Sequence, residues 1–547
     1  MLKQIAMHNN RVKVSYDYDS FYRSTKSVLL NTNYSLTTAY NWRQGTDSSH
    51  TSYMPSGQTE TLKNASNNTV ATTSLSYTYD VLGNIETISE GGVQRQKYYY
   101  DSLNQLIRED NLDLNKTFVY SYDLGGNITS TKEYAYQTGA AVTGTATTTN
   151  SYTYGDSNWK DKLTAYNGSS ISYDAIGNPL SYYNGFTFTW QKGRQLASAT
   201  NGTTSVTYTY NNDGYRTAKT INGTTTDYTL EGNRVLIEKT GSDYVWFYYD
   251  AAGAPVAMAT GSGPSLYIYR KNLQGDITGI YSGSTGTLLV SYVYDAWGKV
   301  TATNVAGTTE SATVLARNPY LYRGYRYDSE TGLYYLNSRY YDPETGRFIN
   351  ADGFVSTGQG ILGSNMFAYC LNNPVNGYDP GGYAAKNAFY TYENVRNGGL
   401  LFVCLVLYAA KVLTLTEKTP RPATEHKVKT KELQVAKRIE DIARSYPKEG
   451  QCDNAAAAMD KAAKKKGIIV TLDFPKDDPL LKYADNVYNI EYGITVGNNR
   501  YHKGYYYNGL IYCPVYPEGK PPILWKNSFI CDGCTKSVII PRIEWLP

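Results

Sequence analysis

Cys452 is the residue placed best for chemistry. It follows Gly450-Gln451 and leads into Asp453-Asn454 and the run AAAAMDKAAKKKG. Alanine-rich sequence that ends in lysines and Gly467 predicts a helix with its cationic end at the C-terminus. Cys452 then sits at or just before the helix N-terminus, where unpaired N–H groups stabilise a thiolate and lower the thiol pKa. A thiolate so placed is a nucleophile; the alternative is a small buried residue, a common use of cysteine. A thiol nucleophile needs an imidazole to take its proton. The chain has four histidines, and only His502 lies downstream of Cys452. Residues 499–512 read as two strands across an Asn508-Gly509 turn, which puts His502 on the first of them.

The same imidazole has a competing use. Cys531-Asp-Gly-Cys534 is a tight pair, Cys513 lies one strand earlier, and with His502 these would supply four tetrahedral zinc ligands. A structural zinc site usually has two paired knuckles, and one is present. A disulfide, or two free thiols, is the plainer reading of the pair. The thiol–imidazole chemistry itself calls for no metal and no cofactor.

The elements around these residues are legible in outline. Val435, Ile439 and Ile442 recur at helical spacing before a break at Tyr446 to Gly450. Upstream, Thr416 to Glu432 has the charges and prolines of a solvated linker. Before that comes GGLLFVCLVLYAAKVLTL, Gly398 to Leu415. Its uninterrupted apolar part ends at Lys411, short of the roughly twenty residues a bilayer span needs. It reads as a buried element, or as a segment that touches a target membrane during delivery.

From about Val14 to Asn304 the chain is repetitive, polar and tyrosine-rich. The landmark is aromatic-x-Tyr-Asp followed by a Gly-Asn turn, as in Tyr77-Thr-Tyr-Asp80 with Gly83-Asn84 and Tyr120-Ser-Tyr-Asp123 with Gly126-Asn127. Alternation such as Ser205-Val-Thr-Tyr-Thr-Tyr210 predicts strands with rings on one face and hydroxyls on the other. The aspartates recur at one turn position, which favours a capping role over calcium or sugar binding. The 547 residues include 57 tyrosines and 12 phenylalanines. That bias suits a sheet whose tyrosine hydroxyls meet water. A net charge of +4 is too weak to argue for nucleic acid as a partner of the whole chain. The opening MLKQIAMHNNRVKVSYDYDS lacks the apolar run of a signal peptide and enters the repeats at once. The expectation is the C-terminal portion of a longer protein, or a truncated copy.

Between repeats and tail lies Arg317 to Tyr383. Tyr320, Tyr322, Tyr325 and Tyr327 alternate as a half-buried strand would. Asp328-Ser-Glu-Thr-Gly332 and Asp342-Pro-Glu-Thr-Gly346 are near-copies, each a turn between aromatic strands. With YRGYRYDSETGLYYLNSRYYDPETGRFINADG and NNPVNGYDPGG, this stretch closely resembles the core segment of bacterial RHS/YD-repeat proteins. The resemblance implies repeats wound into a hollow β-shell, a core that closes it, and a variable toxic domain held inside. It also implies a self-cleavage site. In some relatives paired aspartates cut the chain just after the DPxGx segment; here Asp352 and Asp379 match that pair, with Arg347 nearby. Two carboxylates forced together share a proton, so one serves as acid and the other as base. The chain departs from the pattern at Asp352-Gly353, where relatives often have Asp-Pro, and at Tyr383, where they often have Leu. The plainer reading makes both aspartates turn residues.

The tail segments GQCDNAAAAMDKAAKKKG and YHKGYYYNGLIYCPVYPEGKPPILW resemble papain-fold toxin domains at the ends of polymorphic bacterial toxins. That resemblance implies a Cys452–His502 dyad, in which His502 takes the thiol proton and returns it to the leaving group. Gln451 and the Cys452 N–H would help bind an oxyanion. The third, orienting residue is open among Asn508, Glu518, Asn527 and Asp532. Trp525 reads as core or as a cover over the dyad.

The expected fold is mainly β: a spiral YD-repeat β-sheet shell with an RHS core, followed by a small α+β papain-like domain. The expected boundaries are residues 1–310 for the shell segment, 311–383 for the core, 384–432 for the apolar segment and linker, and 433–547 for the payload. The expected function is encapsulation and delivery of a cysteine-dependent peptidase, deamidase or acyl-transferase into rival or host cells. The chain would leave a bacterium by secretion or stand on its surface, and the payload would act in the target cytoplasm. A protein substrate in the target cell and a cognate immunity protein are the implied partners, with possible membrane contact during delivery and no nucleic acid. The alternative is a surface adhesion protein with an inert or zinc-binding tail.

Overall fold

In the computed structural model the described residues are 2–7, 11–20, 23–44, 51–261, 265–355 and 362–387, together with seven strands beyond residue 467. The chain divides into two compact units, residues 1–404 and 405–547.

The first unit is built on two antiparallel meanders of fourteen strands each. One runs from Gln4–Met7 to Ser169–Ser170 and the next from Ser172–Tyr173 to Val300–Asn304. Local sequence explains the strands. In Ser205–Tyr210, Val206 and Tyr208 are buried while Ser205, Thr207 and Thr209 are exposed. The outer threonines pair across strands, as in the 2.7 Å contact between the Thr78 and Thr87 hydroxyls. Turn chemistry sets where each strand stops. Asp80 Oδ1 accepts from the N–H groups of Leu82 (2.8 Å) and Asn84 (2.9 Å), and Oδ2 accepts from Asn84 Nδ2 (2.9 Å). The same pattern returns at Asp101 with Gln105, Asp123 with Asn127, and Asp174 with Asn178. These carboxylates are occupied by their own turns, as the capping reading requires. Gly83, at φ +86°, supplies the left-handed residue that closes the turn.

Some tyrosine hydroxyls have a partner within the sheet that the sequence reading does not supply. The half-buried tyrosine just before the turn donates to a backbone carbonyl of the preceding hairpin. Tyr100 Oη reaches Ile85 O (2.8 Å), Tyr122 reaches Leu106 O (2.5 Å), Tyr154 reaches Ile128 O (2.8 Å), and Tyr294 reaches Ile277 O (2.6 Å). Ile85, Leu106 and Ile128 each follow the last residue of a turn. The strand also bulges at this tyrosine, between Thr78 and Tyr79, Tyr99 and Tyr100, and Ser121 and Tyr122. The bulge faces the strand that follows, while the hydroxyl reaches back to the strand before, giving that carbonyl a donor that phenylalanine lacks.

The coil brings distant strands face to face. Val12, Val14, Leu29, Leu36 and Leu62 pack in one buried cluster with Tyr248, Val256, Ala257 and Ile268. A helix, Thr309–Arg317, closes the second meander. The sequence reading gave no helix there, although a capping box, Thr308 with Ser311, marks its start.

After the helix the core segment forms a four-stranded meander of Arg326–Asp328, Leu333–Tyr335, Tyr340–Asp342 and Arg347–Phe348. Both near-copy turns connect strands here. The alternation read from Tyr320 to Tyr327 does not make one half-buried strand. Tyr322–Gly324 is a 3₁₀ turn with Arg323 at φ +54°, and Leu321, Arg323 and Arg326 are buried along with Tyr320, Tyr322 and Tyr325. Both faces of the segment are covered, so polar spacing does not report exposure. Buried ion pairs hold the segment to the sheets: Arg216 with Asp328 at 2.5 Å and Arg323 with Asp276 at 3.1 Å.

In the second unit the described backbone has two small antiparallel sheets. One has the order Leu510–Tyr512, Tyr501–Tyr507, Ile468–Asp473, Arg542–Leu546; the other has Ile494–Asn498, Asn486–Asn489, Phe529–Cys531. Tyr507 pairs with Leu510 across residues 508–509, the hairpin that Asn508-Gly509 predicts.

Candidate functional site

The core segment lies along the row of repeat turns and reads them with carboxamides. Asn376 Oδ1 accepts from Ile85 N (2.8 Å), and Asn373 Nδ2 donates to Asn84 Oδ1 (3.0 Å). Asn372 Nδ2 donates to Gln105 Oε1 (2.9 Å) and Gly126 O (2.6 Å), and Asn365 Nδ2 donates to Asn127 Oδ1 (2.9 Å). Cys370, Leu371 and Asn372 all hold positive φ, +49°, +55° and +60°. Such a run costs on the order of 1–3 kcal/mol per residue, set here against the hydrogen bonds of Asn372 and Asn373. Burial pushes the Cys370 thiol well above its usual range, which makes it unreactive.

Asp352 and Asp379 are brought together inside this frame. Both are buried, and both touch one guanidinium: Arg339 Nη2 lies 2.9 Å from Asp352 Oδ2 and 3.4 Å from Asp379 Oδ2. Each aspartate also makes a turn bond. Asp352 Oδ1 accepts from Phe354 N (2.9 Å), and Asp379 Oδ1 accepts from Tyr383 N (3.1 Å). Asp379 N in turn donates to the Tyr325 hydroxyl (2.6 Å). Turn residue and paired carboxylate are therefore compatible descriptions of the same side chains.

Arg347 is engaged elsewhere. Its Nη2 donates to Asp161 O (2.8 Å) and Asn127 Oδ1 (3.2 Å), tying the core to a repeat turn. The arginine between the aspartates is Arg339, which sequence reasoning missed. It stands in Asn337-Ser-Arg-Tyr-Tyr341, and no spacing rule ties it to Asp352 or Asp379. Every arm of Arg339 is used: Nε donates to Gly382 O, Nη1 to Met366 O (3.0 Å), and the guanidinium stacks on Phe348 with 3.5 Å to the ring centroid.

The electrostatics follow from two carboxylates buried around one shared guanidinium. Burial raises the Asp352 carboxyl above its ordinary value and the nearby Asp379 charge adds to this, while Arg339 and the Phe354 N–H oppose it. Burial also pulls the Arg339 guanidinium down against the two carboxylates that hold it up. Arg194, whose Nη1 donates to Ala351 O (2.8 Å), is a second cation that opposes the rise, so burial is its chief cause. Such a site can present an acid and a base to one peptide bond.

Of the residues read as a thiol site, His502 is on the described strand Tyr501–Tyr507, in register with Leu472 on Ile468–Asp473. Cys531 ends the strand Phe529–Cys531. Cys452, Gln451, Cys513, Cys534, Trp525 and the four candidate orienting residues lie outside the described residues, as do both helices read from sequence, the apolar segment and the linker. Among the described residues no helix is long and apolar enough to cross a membrane.

No family model matches the chain. It is 36% identical over 292 residues to the tRNA nuclease WapA of Bacillus subtilis (strain 168), which covers 52% of this chain and 12% of that protein. It is 27% identical over 381 residues to the toxin subunit YenC1 of Yersinia entomophaga, covering 57% of this chain and 37% of that one. The chain thus spans well under half the length of these relatives. Among solved structures, the TcdB2–TccC3–Cdc42 crystal structure matches its fold with a TM-score of 0.51 at 19% identity, over 68% of this chain and 20% of that one. The homologues of this chain are therefore toxins of the RHS and toxin-complex type, and the structural likeness is in the large antiparallel β-sheets.

Proposed function

We propose that residues 1–383 package and cut free a toxic C-terminal payload, and that the cut falls after Tyr383. The observation that carries this reading is the meeting of Asp352 and Asp379 on Arg339, beside the Asp379-Pro-Gly-Gly-Tyr383 turn. In the proposed step, water adds to the Tyr383 carbonyl carbon and gives a proton to one carboxylate. The C–N bond to Ala384 then breaks, and the departing nitrogen takes the proton held by the other carboxyl. The products are a Tyr383 carboxylate and an Ala384 amine, and no cofactor enters the balance. Arg339 holds both carboxylates and the adjacent Gly382 carbonyl in place. Asp352→Asn and Asp379→Asn should each leave the chain in one piece, with wild type giving two fragments by mass; a wild-type chain that stays intact after refolding removes the proposal.

The payload, in this reading, is a papain-like cysteine enzyme with Cys452 as nucleophile, His502 as base and Gln451 at the oxyanion. It acts on a target-cell protein after delivery from a bacterial surface or secreted complex, and a cognate immunity protein blocks it at home. Support comes from the sequence around Cys452, which predicts a helix starting there, and from the strand position of His502. A second reading, a payload that acts on nucleic acid, is favoured by the relatives described as tRNA nucleases. Producing the chain in a susceptible cell separates the two: arrest relieved by Cys452→Ala supports the thiol enzyme, whereas arrest that survives it and is accompanied by loss of tRNA supports the second.

A further inference from the structure

Paired carboxylates do not choose a bond; something must hold the chain in one register against them. Three consecutive residues on the core meander donate to three consecutive carbonyls of the turn. Asn337 Nδ2 donates to Pro380 O (2.9 Å). Ser338 Oγ lies 2.7 Å from Gly381 O and 2.8 Å from Gly382 O, and Ser338 N adds a 3.3 Å bond to Gly381 O. Arg339 Nε completes the set at Gly382 O. Asn337 sits at φ +63°, a left-handed conformation that asparagine tolerates better than most residues.

The turn presents a glycine where the clamp is tightest. Gly382 is at φ +71°, and a Cβ there would lie 2.7 Å from both Leu336 O and Ser338 Oγ. Sliding the segment to put Tyr383 in that place would drive a Cβ into both oxygens, and a slide the other way would break the present bonds of the clamp and the Tyr383 N–H bond to Asp379. Tyr383 is fixed from its other side, by its N–H on Asp379 Oδ1 and by its ring against Phe354, 5.9 Å between centroids.

We infer that Asn337 and Ser338 are positioning residues that fix which peptide bond meets Asp352 and Asp379. They touch the carbonyls on the acyl side of the cut and take no part in proton transfer. The inference rests on the self-cleavage reading above. Its physical basis is that a reacting bond held within a fraction of an ångström of its attacking groups loses rate steeply when its supports are removed.

The experiment uses the full chain, refolded and followed in time by intact mass, with thermal melting as the check on folding. The variants are Asn337→Ala, Ser338→Ala, the double variant, and Ser338→Thr. Wild type should give one pair of fragments. The double variant should cut at least tenfold more slowly, or at more than one bond, with melting of the β-unit near that of wild type. Ser338→Thr, which keeps the hydroxyl, should restore rate and single position where Ser338→Ala does not. A double variant that cuts at the wild-type bond and rate overturns the positioning role while leaving self-cleavage standing. A slow variant whose melting has collapsed, with Ser338→Thr no better than Ser338→Ala, also overturns it, because the effect is then one of stability. An uncut wild-type chain overturns the cleavage reading and this inference with it.

Discussion

Asp352 and Asp379 meet on a single nitrogen atom, Nη2 of Arg339, at 2.9 and 3.4 Å. Burial, with the Asp379 charge beside it, raises the Asp352 carboxyl against the opposing pull of Arg339, the Phe354 N–H and Arg194. A raised folded pKa means that the proton is kept to a higher pH than in an ordinary aspartate and is lost as pH rises through the shifted value. If that proton is the one delivered to the leaving nitrogen, the cleavage rate should fall with rising pH on a limb displaced above the ordinary aspartate value. Initial rates after refolding across about pH 4 to pH 9 would show this limb. A flat profile would remove Asp352 from the acid role.

Glu109 predicts a pH effect on stability that is independent of cleavage. It is fully buried, accepting from Ala296 N (2.8 Å), Asn111 Nδ2 (2.9 Å) and the Tyr120 hydroxyl (3.3 Å). Burial, then the neighbouring Asp295, pushes it up to about 8, and burial raises Asp295 as well. Raised folded values stabilise the unit below the unfolded pKa, and that contribution is lost as pH climbs from 4.5 to about 8. Wild-type melting temperature should therefore fall over this range. Glu109→Gln should shrink the fall, by about 1–3 kcal/mol in unfolding free energy between the two ends. Equal slopes for the two proteins would contradict it.

Each tyrosine latch should be worth the price of one hydrogen bond. Tyr122→Phe and Tyr294→Phe remove the donors to Leu106 O and Ile277 O while keeping the rings. Each should cost about 1 kcal/mol, and the pair should be close to additive because the latches are in different sheets. Urea unfolding of the single and double variants measures this. Neutral substitutions would return the tyrosine bias to water contact.

Two glycines with similar backbones separate strain from packing. Gly298, at φ +90°, would place a Cβ 2.6 Å from the Tyr322 ring, whereas Gly223, at φ +86°, has nothing within 4 Å. Gly223→Ala should cost about 1 kcal/mol, from the backbone alone. Gly298→Ala should cost about 1–3 kcal/mol more, because the Tyr322 ring is fully buried and cannot give way. Equal losses would show that the repeat turn and the core do not press on one another.

Sequence alone determined the features whose partners are near in the chain. The alternation in Ser205–Tyr210 and the Asp-to-Asn turns, such as Asp80 to Asn84, were legible because a strand repeats every two residues and a turn closes within five. The aspartate pair came from a resemblance, carried on motifs rather than on spacing. Tertiary structure decided the rest. It put Arg339 rather than Arg347 between the aspartates, because which arginine faces them depends on how the core meander lies against the repeat turns. It buried both faces of residues 320–327, which cancels the meaning of polar alternation there. It turned the hydroxyls of Tyr100, Tyr122, Tyr154 and Tyr294 toward carbonyls of the preceding hairpin, partners that the residues beside each tyrosine do not announce. Hydrogen-bond partners across a coil are chosen by which strands come to lie side by side, and only the folded chain makes that choice.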